Sequence, residues 1–521
     1  MQAVAFLLLL LGTVAAVVTV SRRVRVPYPV LLLVAGLILG AVPAVPHVDV
    51  DSETILLFVL PPIVYVAAFF TPVRSFKQEL GNIVSLAIGL VVASTAAVAV
   101  AAIALVPALT VPIAVALGAA VAPPDAIAAT SVFQRLAVPR RITAVLEGES
   151  LVNDATALTI YRVAILAAAS GASIFAVGTF GEFIVASVIG IAVGAAIGWV
   201  AAEVRTRLSD APVEITISLL TPYAAFLPAY AVGASGVLAA LTAGLYVGRR
   251  ASRIMSSDVR LTGRAVWETL LFLINGFVFI LIGLQITAIS GRIESATFRN
   301  LALVGLAVSA VLIAVRAAWL LGMALWQRLV SHRRARLRLA EVLVLSWAGM
   351  RGVVSLAAAL AVPAAAAGGA TAARDAVIVI TFTVILITLV GQGLTLPAVI
   401  KLAHLGGDDD HRHEESHARQ DLIQQALRRI ETLATEWPTH QPLIDQLRTS
   451  YQHRAEHEEQ LHEAPSTEAE QELVEHRAIR RAVIDAQREA LLTMRDRGVI
   501  DDDTVRAIER ELDLEEVRME A

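Results

Sequence analysis

A cluster of polar and acidic residues interrupts apolar sequence in the segment LEGESLVNDATALTIY, which spans residues 146–161. Its members are Glu147, Glu149, Ser150, Asn153 and Asp154. A charged side chain in hydrocarbon costs at least about 2.5–3.5 kcal/mol on insertion scales, so charges within apolar spans usually mark an ion path or a proton relay. If the surrounding sequence crosses a membrane, this segment therefore predicts the functional site.

The composition indicates that the chain does cross a membrane. Hydrophobic residues make up 57% of it, the mean hydropathy is +0.70, and the first four hundred residues contain many apolar runs of about 20 residues, each long enough to span. The sequence has no cysteine, which excludes disulfides and thiolate metal sites. The arginines near the N-terminus follow the first apolar run, which favours a spanning helix over a signal peptide.

We predict an all-α polytopic membrane protein with about thirteen spanning helices. The predicted spans are residues 1–20, 26–43, 54–71, 82–106, 111–131, 142–169, 176–203, 212–230, 233–248, 265–290, 300–327, 339–363 and 375–403. Arginine and lysine collect in alternate loops, as the positive-inside rule requires, and the opposite loops contain only Arg292, Arg299 and Arg374. We therefore expect a multi-pass protein of the cell inner (plasma) membrane, with its N-terminus outside and its C-terminal tail in the cytoplasm.

Three charged residues from different spans lie at one depth. Counted from the arginines at the cytoplasmic ends of their spans, Asp125, Asp154 and Arg351 lie roughly 15–20 Å from the inner boundary, near the midplane of a ~30 Å hydrocarbon core. Ser150 lies one turn from Asp154 on the same helix face, whereas Glu149 lies off that face and needs its own partner. The three charges and these neighbours therefore form one candidate layer.

Two spans contain helix-breaking residues at this depth. Pro123 and Pro124 interrupt the fifth span, and Gly349 and Gly352 flank the arginine of WAGMRGVVS in the twelfth. Proline removes a backbone donor and clashes with the preceding turn, and irregular backbone inside a membrane is tolerated only where it lines protein or a wet cavity. Because the two spans run in opposite directions, the pattern is typical of inverted repeats in secondary transporters, whose substrate site lies where broken helices meet.

Other classes fit these residues less well. A structural role would explain any one buried charge, but not several at one depth beside two broken helices, whereas Arg162, Arg316, Glu268 and Glu341 are interpreted as structural. The sequence has neither the Gly-x-Gly-Asp motif of an intramembrane aspartyl protease nor the repeated pore elements of a channel. A proton-coupled carrier of a small organic solute remains the alternative, because inverted repeats and an acidic site would serve it equally well.

Three further segments are PPDAIAATSVFQRLAVPRR, GESLVNDATAL and WAGMRGVVSLAAAL. Together they resemble the monovalent cation:proton antiporters of the sodium/proton exchanger type, in the bacterial NhaP-like branch, and the resemblance covers residues 27–402. It implies a homodimer in which a core domain, made of helices from about 82–169 and 300–403, moves against a dimerisation domain. It also implies exchange of Na+, or of Li+ or K+, for H+ without a cofactor.

By motif, the resemblance assigns Asp154 as the residue that binds the cation and the proton. Asn153 matches the neighbouring asparagine that accompanies electroneutral exchange, Ser150 matches a residue near the cation, and Asp125 matches the acidic residue of the first broken helix. A carboxylate in a partly dehydrated cavity favours its proton-bound form. We therefore expect the cation and the proton to compete for Asp154 during alternating access.

The resemblance also implies a buried ion pair between Glu149 and Arg351 that stabilises the core.

The sequence departs from many relatives at two positions. Pro124 stands where they have threonine, and Val66 stands where they have a carboxylate after the Pro-Pro pair of the third span. Both departures remove an oxygen ligand from the cation. They weaken the prediction that the transported cation is sodium more than the prediction of antiport.

The composition changes after Leu405, where Glu, Asp, Gln and Arg become abundant. Apolar residues recur there at helical spacing, as at Leu422, Ala426 and Ile430, so residues 406–521 are predicted to form an acidic helical cytoplasmic domain. The run DDDHRHEESH (408–417) is interpreted as a solvated linker rather than a metal site. We predict no enzymatic activity, no metal other than the transported cation and no nucleic-acid partner.

Overall fold

The computed structural model describes residues 2–24, 28–43, 52–71, 73–171, 177–208, 210–291, 293–330, 337–362, 371–405, 409–463, 467–497, 499 and 501–520. Every regular element in these residues is a helix. The chain divides into two compact units, Met1–Gly407 and Asp408–Ala521. The first unit therefore holds all the apolar spans, and the second unit corresponds to the acidic tail.

The first unit consists of eighteen α-helical segments. They are α1 (Gln2–Val24), α2 (Tyr28–Gly40), α3 (Ser52–Phe70), α4 (Val73–Gln78), α5 (Leu80–Val84), α6 (Val91–Leu105), α7 (Val111–Val121), α8 (Ala126–Arg135), α9 (Arg140–Ser170), α10 (Val177–Arg205), α11 (Ala211–Ala231), α12 (Gly236–Ile254), α13 (Ser257–Ser290), α14 (Ser295–Val330), α15 (Leu339–Trp347), α16 (Val353–Leu360), α17 (Thr371–Leu386) and α18 (Gly393–Leu402). Two π-helical turns, Ser85–Leu90 and Ile387–Gln392, join α5 to α6 and α17 to α18.

The predicted spans coincide with this series of helices. Each falls on a single helix, on a helix with a π-helical turn, or on one of the pairs α7–α8 and α15–α16 that a break separates. By length and composition, 7 helices among the described residues could cross a membrane unaided, and three further apolar helices are shorter. The all-α membrane architecture is confirmed, whereas the number of thirteen crossings stays a prediction.

The helices of this unit pack mainly within two groups. The peripheral group contains α1 to α3 and α10 to α13, and the core group contains α4 to α9 and α14 to α18. The groups touch where α3 meets α9 and α16, where α12 meets α9, and where α13 meets α16 and α17. The core group contains the helices of residues 82–169 and 300–403, and their role as a mobile core domain stays a prediction.

The tail unit contains two pairs of packed helices. Helix α19 (Asp409–Glu436) packs on α20 (Gln441–Glu463), and α21 (Thr467–Asp496) packs on α22 (Asp502–Glu520). The predicted linker at 408–417 is wrong from Asp409 onward, because the backbone there is helical, while Asp408 lies outside the described residues. Acidic residues favour the first turn of a helix, and residues 409–436 contain neither proline nor glycine to stop one.

Glycines allow close packing where α2 crosses α13. A Cβ atom placed on Gly283 would lie 2.5 Å from the backbone nitrogen of Leu37 and 2.6 Å from the carbonyl carbon of Gly36. These are backbone atoms, which cannot move aside as a flexible side chain can. Helices in lipid associate through this kind of contact between small residues, so Gly36 and Gly283 let α2 pack closely against α13.

We expect Gly283→Ala to lower the free energy of unfolding by about 1–3 kcal/mol, because a methyl group would push α2 away from α13. The matched control is Gly322→Ala on α14, where an added Cβ would meet no atom within 4 Å. Thermal unfolding of the purified protein in detergent measures both variants. Equal melting temperatures for the two variants would contradict the close packing described.

Candidate ion-binding site

The two broken helices meet at their breaks. The backbone N–H of Asp125, between α7 and α8, donates to the carbonyl oxygen of Met350, between α15 and α16, at 2.7 Å. Pro123 and Pro124 supply no N–H, so α7 cannot continue through them. The breaks leave carbonyl groups at the ends of α7 and α15 and N–H groups at the starts of α8 and α16 without helical partners. These groups therefore need other partners inside the membrane.

Arg351 satisfies the carbonyl groups at the end of α7. Its Nε donates to the oxygen of Val121 at 3.0 Å, its Nη2 donates to that of Ala122 at 3.3 Å, and its Nη1 donates to that of Gly349 in its own break. Its backbone N–H donates to Thr388 Oγ1 at 3.1 Å. A cation at a helix C-terminus also interacts favourably with the helix dipole. Arg351 therefore stabilises the first break from within the second.

Arg316 does the same at the end of α15, and it is the partner of Glu149. Its Nε donates to the carbonyl oxygen of Leu345 at 2.9 Å, while Nη1 and Nη2 donate to Oε1 and Oε2 of Glu149 at 2.5 and 2.8 Å. Both side chains are at most 1% exposed. Parallel bonds of this kind are the strongest form of ion pair between arginine and a carboxylate.

The predicted pair between Glu149 and Arg351 is therefore wrong. The guanidinium of Arg351 is occupied by backbone carbonyl groups, and Glu149 binds Arg316 of α14. A depth count places Arg316 at the same level as Arg351, because Arg316 lies twelve residues before Arg328 and so roughly 18 Å from the same boundary. Arg316 is interpreted from the sequence as structural, and the structure adds that its partner is Glu149.

Asp125 lies at the starts of the other two half-helices. It directly precedes α8, and a Cβ atom on Gly352, which directly precedes α16, would collide with its Oδ2. The N-terminus of a helix favours negative charge. Glycine at position 352 therefore lets the carboxylate approach both positive helix ends.

A cavity of about 480 Å³ lies beside these breaks. One face of α9 lines it through Glu147, Ser150, Leu151 and Asp154, which follow the helical spacing of three and four residues. Asp125 lines it too, and Asp154 is only 9% exposed. The structure therefore brings three of the four predicted ion-binding residues, Asp154, Asp125 and Ser150, to one cavity.

The fourth, Asn153, lies behind the cavity wall. It is fully buried, and its Nδ2 donates to the carbonyl oxygen of Pro124 at 3.2 Å. Its Oδ1 has no hydrogen-bond partner within the described part of the chain. This hydrogen bond connects α9 to the break between α7 and α8, directly beside Asp154.

Sequence reasoning missed one wall of the cavity. Arg264, Glu268, Leu271 and Asn275 line it from one face of α13. Arg264 and Glu268 form an exposed ion pair with a distance of 2.8 Å between Nε and Oε1, so Glu268 has a structural partner and also faces the cavity. The sequence does mark Asn275, because it is an amide within the apolar run LLFLINGFVFI, where polar residues usually have a function.

The two positions that depart from the family pattern, Val66 and Pro124, line the same cavity. Their side chains offer no oxygen to a cation.

The other residues interpreted as structural have partners elsewhere. Glu341 accepts from the backbone N–H of Arg338 at 3.0 Å, and the guanidinium of Arg162 lies 4.6 Å from the ring centre of Tyr230.

The sequence is similar to those of known sodium/hydrogen exchangers. The family described as sodium/hydrogen exchanger, transmembrane, matches residues 6–402. An uncharacterized Na(+)/H(+) exchanger of Mycobacterium tuberculosis is 38% identical over 528 residues, covering 98% of this chain and 96% of that protein. The Na(+)/H(+) antiporter ApNhaP of Aphanothece halophytica is 32% identical over 407 residues, covering 77% of this chain and 75% of that protein.

A solved structure has a similar fold. The sodium proton antiporter MjNhaP1 from Methanocaldococcus jannaschii, determined at pH 8, superimposes with a TM-score of 0.61 and 21% identity. The match covers 78% of this chain and 100% of that one. The predicted fold, an all-α membrane architecture with two broken helices that meet, is therefore confirmed.

We expect a double-mutant cycle to identify the ion pair. Glu149→Ala and Arg316→Ala should each cost about 3–5 kcal/mol of unfolding free energy, because each leaves a buried charge unpaired, and the double variant should cost less than their sum. The matched cycle of Glu149→Ala with Arg351→Ala should be closer to additive. Unfolding in detergent measures both cycles, and a larger coupling energy in the second would restore the pair expected from the sequence.

Proposed function

Since this chain belongs to the sodium/hydrogen exchanger family and is a cation:proton antiporter with several membrane-spanning helices, we propose that its cation and its proton compete for Asp154. One observation carries this proposal. Asp154 is a buried carboxylate that faces the cavity, and no arginine, lysine or histidine pairs with it among the described residues. A transported cation or a proton would neutralise its charge.

The other acidic residues of this layer already have compensating partners. Glu149 is held by both terminal nitrogens of Arg316, and Asp125 lies at the starts of two half-helices. A buried carboxylate without such compensation favours its neutral, protonated form. Asp154 can be neutralised by a proton or by a hard cation, but not by both, and this exclusion couples the two fluxes.

The neighbours of Asp154 suit such an exchange. Ser150, one turn away on α9, offers a hydroxyl oxygen to the cation from the same cavity face. Asn153 fixes the register of α9 against the break without adding a charge of its own. We therefore assign Ser150 and Asp125 as further oxygen ligands or tuning groups, and Asn153 as a positioning residue for Asp154.

The two helix groups support alternating access. We propose that the core group carries Asp154 past the peripheral group, and that the peripheral group forms the contact between two copies in a homodimer. Gln134, Arg264 and Glu268 line the cavity near the helix ends that bear the arginine-rich loops. With those loops in the cytoplasm, the N-terminus is outside, the tail is inside, and the cavity opens inward.

Sodium is the cation that we propose, because ApNhaP is named a Na(+)/H(+) antiporter. An exchanger of K+ for H+ would use the same arrangement of one carboxylate and neutral oxygens. A carrier of a small organic solute is the second candidate function, and it is one outcome of the test below.

We expect Asp154→Asn to abolish exchange while leaving a folded protein, because an amide can bind neither a transported proton nor a cation as a carboxylate does. The measurement is the dissipation of a pH gradient in proteoliposomes when Na+, Li+ or K+ is added. Asp258→Asn, the same change at an exposed position on α13, is the matched control and should transport normally. Wild-type rates in Asp154→Asn would refute the assignment, and a wild type that ignores all three cations would favour the organic-solute carrier.

We further expect one cation to move for each proton. The physical reason is that Asp154 holds one or the other and that Asn153 has no acidic proton to add. Parallel measurement of radioactive sodium uptake and proton efflux gives the ratio. A ratio near two protons per sodium would require a second titrating carboxylate, for which Asp125 would be the candidate.

A further inference from the structure

The face of α13 that lines the cavity changes from charged to neutral along its length. Arg264 and Glu268 lie near the helix start, and Leu271 and Asn275 follow one and two turns deeper. Asn275 is only 4% exposed. The peripheral group therefore presents one amide to the inner part of the cavity, where the acidic residues Asp125 and Asp154 come from the core group.

Asn275 lies at nearly the same depth as Asp154. It follows Arg264 by eleven residues, which is about 17 Å of helix, and Asp154 follows Arg141 by thirteen, which is about 20 Å. Both arginines lie at the same ends of their helices relative to the arginine-rich loops. The two side chains therefore line one layer of the cavity, from opposite helix groups.

The rest of the peripheral wall offers little to a cation at this depth. Helix α3 lines the cavity through Ile63, Val64, Val66, Ala67 and Phe70, whose side chains are all apolar. Thr71, which follows the last residue of α3, is at the mouth. An oxygen ligand from the peripheral group therefore has to come from α13.

The amide of Asn275 has capacity for such a ligand. No hydrogen bond of its side chain occurs within the described part of the chain, although the residue is buried. The amide is not among the enclosed polar atoms that lack a partner, because the residue lines the cavity and its polar atoms are open to it. Its carbonyl oxygen is also the kind of neutral ligand that suits a hard cation.

We propose that Asn275 supplies a carbonyl oxygen to the transported cation from the side opposite Asp154, and so determines which alkali cation is carried. This inference rests on the proposed function of Asp154. A proton needs only the carboxylate, whereas a cation also needs neutral oxygens around it. An oxygen on the peripheral group completes that shell only at one separation of the two groups, so the fit depends on the radius of the cation.

The test compares Asn275→Leu, which keeps the branching at Cγ but removes the amide, with Asn275→Asp, which keeps the size and shape and retains oxygens. In proteoliposomes, Asn275→Leu should raise the KM for Na+ roughly ten-fold, the cost of one lost polar contact, with Vmax changed less than about two-fold. The order of preference among Na+, Li+ and K+ should also change. Asn275→Asp should keep a KM for Na+ at or below that of the wild type.

Thermal unfolding provides a readout that does not depend on transport. Added Na+ should raise the melting temperature of the wild type, since a ligand of the folded state stabilises it, and this rise should be largely lost in Asn275→Leu. Thr269→Ala, a polar deletion on the exposed face of the same helix, should behave as the wild type in both assays.

Two results would overturn the inference. One is a wild-type KM for all three cations together with a wild-type Na+ shift in Asn275→Leu. The other is a fall in melting temperature without Na+ in both Asn275 variants at unchanged KM, which would assign a purely structural role. Failure of the proposed function would give a different result. Exchange would survive in Asp154→Asn, while the rise in melting temperature on adding Na+ would still be lost in Asn275→Leu.

Discussion

The structure depends on satisfying four helix ends inside a membrane. Lipid offers no hydrogen bonds, so a break in a spanning helix is stable only if protein groups meet the freed carbonyl and N–H groups. Here Arg351 and Arg316 bind carbonyl groups at the ends of α7 and α15, and Asp125 lies at the starts of α8 and α16. The breaks, and with them the cavity, persist because each end has a complementary charge.

This arrangement separates the charged residues that have a structural role from Asp154, which is proposed to bind the transported ions. Glu149 is bound on both oxygens and fully buried, so it stabilises Arg316 and leaves the cavity to other residues. Asp154 lies five residues further along α9, which is about 140° around the helix, and it faces the cavity. A difference of five positions on one helix thus divides a fixed ion pair from a proposed exchange site, because successive residues point in different directions.

The sequence predicted what depends on local pattern and missed what depends on packing. Apolar runs, Pro123-Pro124 and the glycines around Arg351 marked the spans and breaks, and the spacing of Ser150 and Asp154 identified the cavity face. The partner of Glu149 depends on how α14 is rotated against α9, and the approach of Asn275 depends on how α13 meets the core group. Neither rotation can be read from one helix alone.

The pairing of charges at the breaks has an electrical consequence. Moving one elementary charge through a potential of 100 mV involves about 2.3 kcal/mol, so a mobile element with unbalanced charge would act as a voltage sensor. Arg351 and Arg316 are matched by Glu149 and Asp125 within the core group. In the proposed movement of the core group, this balanced set would do no net electrical work, so the resting voltage of the cell would neither drive nor oppose that part of the proposed movement.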